Sequence, residues 1–280
     1  MRSLGTPFGS GIGGLAWDGE ALLVSQPGAN LIHRLDPGTG QTTEFRRYTN
    51  HTYGIGFAAS GELYGCQQLS RRIVRFNRDG SATPMPDRFA DGGYHNMPRH
   101  LCVDARGRIW FSDPVYALPA SGPPMPFPGH QSVVRLDQRA DRSWLLRRLT
   151  FDTTSPSGVA VSPDQRTLYV ADASERRAEL RAYPIQPDGT LGPYGVLHAF
   201  GADHRGRHPG AEGVCVETDG TVVACAGGPD LGPGALVYRF SPTGRVLSTT
   251  PVREGKPTGC AVGDGTLYVG TTAGHVYAVR

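Results

Sequence analysis

The chain has 280 residues, with 28 basic side chains against 25 acidic ones and a formal net charge of +3. This mild balance, without any run of Lys or Arg, argues against a nucleic-acid partner. Residues Met1–Gly14 contain no apolar core of the signal-peptide kind, and no stretch is apolar for long enough to span a membrane. We therefore expect a cytoplasmic protein with neither a nucleic-acid nor a membrane partner.

A short pattern recurs six times along the chain. Each copy starts with a small residue or a histidine and a few apolar residues, and a turn and a second apolar run follow. The six copies begin at Gly14–Trp17, Gly54–Phe57, His100–Val103, Gly158–Val161, Gly213–Val216 and Gly259–Val262. They lie roughly 40 to 58 residues apart, and a repeat of this length is typical of propeller blades.

Each repeat is predicted to contain three or four short antiparallel strands. Third strands follow the apolar runs at Leu31–Asp36, Arg72–Phe76, Ser132–Asp137 and Val237–Phe240. The 39 glycines and 23 prolines supply the turns that such short strands need. The sequence therefore predicts an all-β, six-bladed β-propeller of antiparallel strands around a central channel, in a single domain covering residues 1–280.

The last repeat has no residues left for an outermost strand, because it ends at Val276–Arg280. We expect the N-terminal segment, around Arg2–Phe8, to supply that strand and to fasten the ring. Two longer segments interrupt the regular spacing, the proline-rich Pro114–Gln131 and Gly201–Ala211. The first is interpreted as a lid over the channel, and the same interpretation is weaker for the second.

The five cysteines show no pattern of a metal site or of a disulfide framework. Their number is odd, and no two of them have the spacing CxxC. Three lie at one register in different repeats, where small apolar residues pack in a blade. We expect buried, reduced thiols.

The residue just before each repeated pattern is a candidate for the functional site. The first strand of every propeller blade lines the central channel, so these six positions should converge at one mouth of the ring. They are Gly13, Tyr53, Arg99, Ser157, Glu212 and Thr258. Their side chains differ although the strands behind them are alike, which indicates a site for a small-molecule substrate. The alternative is a polar plug that fills the channel together with water.

Three segments carry motifs that are known from other propellers. His95–His100, followed by Gly107–Tyr116, is similar to N-x-P-N-D and G-x-I-W-F-T-D-P-x-Y. Ser155–Asp164 resembles P-N-G-x-A-x-S-P-D, and Ala211–Gly213 resembles P-D-G. With these motifs the chain resembles the gluconolactonase/regucalcin (senescence marker protein) family of six-bladed propellers, and the resemblance covers nearly the whole chain.

The resemblance implies hydrolysis of lactones or related esters, with one divalent cation (calcium, zinc or magnesium) on the channel axis. The positions of the family's four metal ligands carry Gly13, Arg99, Ser157 and Glu212 in this sequence. Only Glu212 offers a carboxylate, and it would face a permanently charged guanidinium. We therefore expect no metal ligands and no cofactor at this position. A rearranged divalent-cation site that uses Glu212, Asp113 or Asp172 stays open.

With the metal ligands replaced, our first hypothesis is that the protein is a lactonase-type hydrolase acting on a lactone or ester of a small oxygenated metabolite. In it, Arg99 takes over the positive charge of the metal, and Glu212 or His100 removes a proton from water. A second hypothesis is a metal-free cyclase, isomerase or lyase with Glu212 as general acid/base. A third is a non-catalytic small-molecule-binding propeller whose channel is closed by a salt bridge between Arg99 and Glu212.

Further residues are candidate substrate contacts because of their positions. Gln67 and Gln68 end the second strand of the second blade, close to Tyr53. Asp113 and Tyr116 lie in the segment that leads into the proline-rich loop. Together with Tyr53, Ser157 and Thr258, these residues complete the predicted substrate-binding set.

Overall fold

A computed structural model of the chain describes residues 1–116, 127–174 and 177–279. In these residues six four-stranded antiparallel sheets follow one another and form the blades of a propeller. The first three blades are β2–β5 (Leu15–Trp17, Leu22–Gln26, Leu31–Leu35, Thr42–Arg47), β6–β9 (Thr52–Phe57, Leu63–Gln67, Arg72–Phe76, Ala82–Pro84) and β10–β13 (Leu101–Val103, Ile109–Asp113, Ser132–Gln138, Trp144–Arg148).

Blade 4 consists of β14–β17 (Pro156–Val161, Thr167–Ala173, Ala178–Pro184, Gly195–Phe200), and blade 5 of β20–β23 (Ala211–Val216, Val222–Gly228, Leu231–Phe240, Val246–Pro251). Blade 6 contains β24–β26 (Pro257–Gly263, Thr266–Thr271, Val276–Val279) and, as its outermost strand, β1 (Arg2–Ser3). Within the described residues, the helical structure is the 3₁₀ turn Pro27–Ala29. The predicted fold class, an all-β six-bladed propeller, is confirmed.

The ring closes in the last blade as the sequence predicts. Arg2 pairs with Ala278 and Ser3 with Tyr277, so the first strand of the chain completes the last sheet. The backbone amide of Leu4 then donates to the carbonyl of Val276 at 2.9 Å, and its side chain is only 2% exposed. The closing strand itself has two residues, shorter than the predicted segment.

Small residues recur at the start of the first strands because these strands pack backbone against backbone around the channel. A Cβ added at Gly158 would lie 2.5 Å from the carbonyl oxygen of Glu212, and one added at Gly213 would lie 2.7 Å from that of Thr258. No side chain fits in such a space. In blade 3 the corresponding position carries His100, which is buried and whose ring contacts that of Tyr53.

The apolar core lies between neighbouring blades. One cluster joins Leu22 and Val24 of blade 1 to Tyr268 and Val276 of blade 6, and equivalent clusters occupy the other junctions. All five cysteines are free thiols, buried or half-buried, as predicted. Among the described residues, no helix is long and apolar enough to cross a membrane.

The two long segments differ in how much of them can be described. Gly201–Ala211 contains a small hairpin, β18 (Ala202–Asp203) and β19 (Gly206–Arg207). Most of the predicted lid, residues 117–126, lies outside the described residues. Of its two ends, Tyr116 lies beside the channel and Phe127 lies 4.5 Å from the guanidinium of Arg71.

Candidate functional site

β-Bulges at the start of the first strands direct polar side chains into the channel. The pairing of β6 with β7 shifts between Thr52 and Ile55, and that of β20 with β21 shifts between Ala211 and Val214. A bulge re-aims the side chain that it contains. Tyr53 and Glu212 each lie within one of these bulges. Arg99 is held by its backbone at the start of blade 3. Its amide donates to the carbonyl of Ser112, and its carbonyl accepts from the amide of Gly54.

The carboxylate of Glu212 is the centre of the site. Its Oε1 atom accepts hydrogen bonds from Arg99 Nη2 and from the phenol of Tyr53, the latter at 2.5 Å. Its Oε2 atom lies 2.5 Å from Lys256 Nζ. The side chain of Glu212 is 6% exposed. Two cations and a phenol therefore stabilise the ionised carboxylate in a place that solvent hardly reaches.

The guanidinium of Arg99 lies between two aromatic rings. Its Cζ atom is 4.0 Å from the ring centre of Tyr53 and 4.5 Å from that of Tyr116, and its Nη2 donates to the Tyr53 hydroxyl at 2.9 Å. Burial raises the pKa of Tyr53 to about 12 and also raises the pKa of Tyr116, and in both cases Arg99 opposes the rise. Both phenols are therefore neutral hydrogen-bond donors at physiological pH.

His100 lies behind this cluster as a neutral ring. It makes an edge-to-face contact with Tyr53, with the ring centres 5.3 Å apart, and its buried Nε2 has no hydrogen-bond partner among the described residues. Burial, and after it the charges of Arg99 and Lys256, lower the pKa of His100 to about 3. Such a ring is a weak base and contacts Tyr53, whereas the carboxylate of Glu212 lies directly beside both cations of the site.

Lys256 is the site residue that the sequence analysis missed. It lies one residue before β24, and 33% of its side chain is exposed. Burial, and after it the charge of Arg99, lower its pKa to about 8. One signal was available in the sequence: of the 28 basic residues, 27 are arginine and Lys256 is the single lysine.

Two other predicted contacts, Thr258 and Asp113, bond to groups of the protein other than the carboxylate of Glu212. The hydroxyl of Thr258 donates to the carbonyls of Ile12 at 2.6 Å and Gly270 at 3.2 Å. Asp113 accepts from the backbone amide of Asn96 at 2.6 Å and lies 3.0 Å from His95 Nδ1. These two residues hold the scaffold around the channel.

Gln67 and Gln68 also have partners other than Glu212. Gln67 Nε2 donates to the carbonyl of Thr49 at 3.1 Å, and Gln68 Oε1 lies 3.1 Å from His51 Nδ1. Ser157, like Tyr116, is a predicted contact that lies at the cluster without bonding to the carboxylate. It is buried beside Tyr116, where its side chain partly opposes the rise in the pKa of that phenol.

Comparison with known proteins agrees with this architecture. Residues 13–273 match the model of the family described as SMP-30/Gluconolactonase/LRE-like region. The chain belongs to this family. The gluconolactonase of Zymomonas mobilis subsp. mobilis is 23% identical over 277 residues, which cover 92% of this chain and 74% of the relative.

Two solved structures illustrate the likeness in three dimensions. A gluconolactonase from Xanthomonas campestris superposes with a TM-score of 0.80 and 26% identity, covering 99% of this chain and 86% of that one. The calcium-binding protein regucalcin of Agrobacterium tumefaciens has a TM-score of 0.66 and 15% identity, covering 94% and 82% of the two chains. At that lower identity the second comparison concerns the fold alone.

The side chains at the family's metal position do not fit a divalent cation. Both oxygens of the one carboxylate, Glu212, already contact cationic groups. Two like charges 4 Å apart repel by about 4 kcal/mol at the effective dielectric of a protein surface. Within the described ranges, no cluster of three His, Cys, Asp or Glu side chains could hold a metal. The carboxylates considered for a rearranged site have other partners, Asp113 as above and Asp172 with Arg181 Nη2 at 2.9 Å.

Proposed function

We propose that this protein is a lactonase-type hydrolase whose substrate is a lactone or ester of a small oxygenated metabolite, and that it works without a metal at the family position. The observation that carries the proposal is the placement of Arg99 and Lys256 on the two oxygens of Glu212. Together these side chains supply two unit positive charges, the charge that a divalent cation would bring. Membership of the gluconolactonase-like family supports the reaction type.

The hydrolytic step follows from this arrangement of charges. Attack of water on the substrate carbonyl creates a tetrahedral oxyanion, which Arg99 and Lys256 stabilise; one such donor is commonly worth about 10²–10³ in rate. Glu212 accepts the proton that the water loses. A cation that turns from Glu212 to the oxyanion leaves the carboxylate a better proton acceptor, so the two effects reinforce each other.

The leaving alkoxide also needs a proton, and Tyr53 is placed to give it. Its hydroxyl is bonded to both Glu212 and Arg99, and it is neutral at physiological pH because burial raises its pKa to about 12. An alkoxide is more basic than a phenolate, so the transfer is downhill. Glu212 then returns the proton of the water to Tyr53, and the carboxylic acid product is released.

The ion pair between Arg99 and Glu212 also favours a second candidate, a non-catalytic propeller that binds a small molecule. In that case the pair closes the channel, and an anionic ligand opens it by competing for Arg99. A metal-free cyclase, isomerase or lyase would use Glu212 in the same position. Turnover of a lactone distinguishes the hydrolase from both.

The test combines metal analysis with kinetics on the purified protein. Metal content is measured by mass spectrometry, and hydrolysis of a lactone panel is followed with chelator and with added calcium, zinc or magnesium. We expect less than a stoichiometric amount of metal, and turnover that the chelator does not change. One tightly bound ion per chain, with activity lost on chelation, would refute the metal-free mechanism.

Variants then test the residues themselves. Glu212→Gln and Arg99→Ala should each reduce kcat by on the order of 10²-fold or more. The matched control is Glu217→Gln, which removes another paired carboxylate of blade 5, bound to Arg239 at 3.1 Å, outside the channel. Absence of lactone turnover in the wild type, combined with saturable binding of a lactone or an acid, would favour the binding protein.

A further inference from the structure

Lys256 is a chemical exception in this chain. Apart from nine histidines, every other basic side chain is an arginine, and 27 arginines are spread over the molecule. A guanidinium stays protonated in proteins, whereas an amine can lose its proton and become a nucleophile. A fixed positive charge beside Glu212 could be supplied by an arginine, as it is at Arg99. The chain instead places its single side-chain amine in the channel.

The surroundings of the amine suit a reaction with a carbonyl group. Nζ lies 2.5 Å from Glu212 Oε2, a carboxylate that can take up the proton of the amine and return it. One-third of the side chain is exposed, so a small molecule can reach it from the channel. The lowered pKa of about 8 leaves on the order of a tenth of the amine neutral at pH 7. Desolvation and a neighbouring cation are the two ways in which nucleophilic lysines are activated.

The charge of the site indicates which carbonyl compound it would accept. The two cations Arg99 and Lys256 and the anion Glu212 give the site a net charge of +1, because the phenols of Tyr53 and Tyr116 are neutral. An iminium formed on Lys256 would preserve that charge. A ligand with a carboxylate next to its carbonyl group neutralises it, and Arg99 offers the donors for that carboxylate.

We infer that Lys256 is a covalent binding site for a small oxo acid, which it holds as an imine in the channel beside Glu212 and Arg99. The neutral amine attacks the carbonyl carbon, the C–N bond forms as the C=O π bond breaks, and Glu212 carries one proton from the adduct nitrogen to that oxygen, which becomes the hydroxyl of a carbinolamine. Glu212 then carries the second N–H proton to this hydroxyl, which leaves as water when the C=N bond forms. Uptake of a proton from solvent by the imine nitrogen gives the charged iminium form. No oxidation or reduction takes place.

This site goes beyond the proposed hydrolysis and does not depend on it. Hydrolysis uses Lys256 as a cation, whereas imine formation uses its neutral form and needs no lactone. A protein that fails to hydrolyse lactones can still form the imine, and the reverse also holds.

The experiment is reductive trapping with glyoxylate and sodium cyanoborohydride, followed by intact mass and peptide mapping. The reductant converts the imine into a stable secondary amine, and a single lysine makes the assignment direct. We expect one carboxymethyl group on Lys256. The matched control is the double variant Lys256→Arg with Arg253→Lys, which keeps the total charge and moves the single lysine to an exposed position three residues away.

Modification of Lys256 should be at least tenfold faster than that of the displaced lysine and of the terminal amine. Glycolaldehyde lacks the carboxylate, so the ratio of the glyoxylate rate to the glycolaldehyde rate should be higher at Lys256 than at the control lysine. Equal rates at Lys256 and at the displaced lysine, or no adduct at Lys256, would overturn the covalent site. The same ratio at both lysines would overturn the assignment to an oxo acid.

Discussion

Tyr53 and Glu212 are 159 positions apart in the chain, and their side chains meet across the channel in a hydrogen bond of 2.5 Å. Tyr53 lies on the first strand of blade 2 and Glu212 on that of blade 5. The bond therefore joins blades on opposite sides of the ring. Because Arg99 of blade 3 bonds to both groups, the orientation of the carboxylate is set by three blades at once.

Replacement of Tyr53 by phenylalanine tests the role of this hydroxyl. The ring that stacks on Arg99 is kept, and only the proton donor is lost. We expect kcat for lactone hydrolysis to fall by on the order of 10²-fold, with a loss of about 1–2 kcal/mol in the free energy of unfolding. Tyr268→Phe, in the packed core of blade 6, serves as the control and should leave kcat unchanged. Equal kcat values for Tyr53→Phe and the wild type would contradict the proton-donor role.

His100 should make the protein sensitive to acid. Burial lowers its pKa in the folded state to about 3 from the ordinary 6.5. Between these values the unfolded chain binds a proton that the folded chain does not, so stability falls as the pH falls from about 6.5 toward 3. One such group changes the free energy of unfolding by up to about 1.4 kcal/mol per pH unit.

His100→Phe should remove this part of the pH dependence while keeping an aromatic ring against Tyr53. Urea unfolding at pH 7 and pH 4.5 measures the difference. The control is His204→Phe, in the exposed part of the Gly201–Ala211 segment, which should preserve the wild-type slope. A slope for His100→Phe that equals that of the wild type would show that other groups cause the acid sensitivity.

The closure of the ring predicts a strong effect at the N-terminus. Leu4 follows the two-residue strand β1, is 2% exposed and packs in the cluster between blades 6 and 1. Leu4→Ala should lower the free energy of unfolding by about 2–4 kcal/mol, because it leaves a cavity at the closing blade. Leu247→Ala is the matched control, since Leu247 is 45% exposed, and it should change stability by less than about 0.5 kcal/mol. Equal losses for the two variants would argue against closure by β1.

The repeated sequence pattern made the fold predictable. Site residues were predictable only where they lie directly before that pattern. Tyr53, Arg99 and Glu212 precede the repeated pattern directly, and the structure brings all three together. Lys256 lies two residues before the repeat position of its own blade, so the repeat gave no reason to select it. The hydroxyl of Thr258 bonds to backbone carbonyls, and partners of that kind become visible only once the neighbouring strands are placed.

The pH dependence of hydrolysis provides a direct test of Lys256. If its ammonium group stabilises the oxyanion, activity must fall as the pH rises through the pKa of about 8, because the charge is lost. Lys256→Arg keeps a cation that stays protonated, so its activity should persist to higher pH, although the bulkier group lowers kcat. Lys256→Met should be less active by on the order of 10²-fold, and this decline with pH should be absent from its profile. Profiles of kcat/KM, which report the pKa values of the free enzyme, are measured between pH 6 and 10. Profiles that decline at the same pH in the wild type and in Lys256→Arg would assign the decline to another group and remove Lys256 from the mechanism.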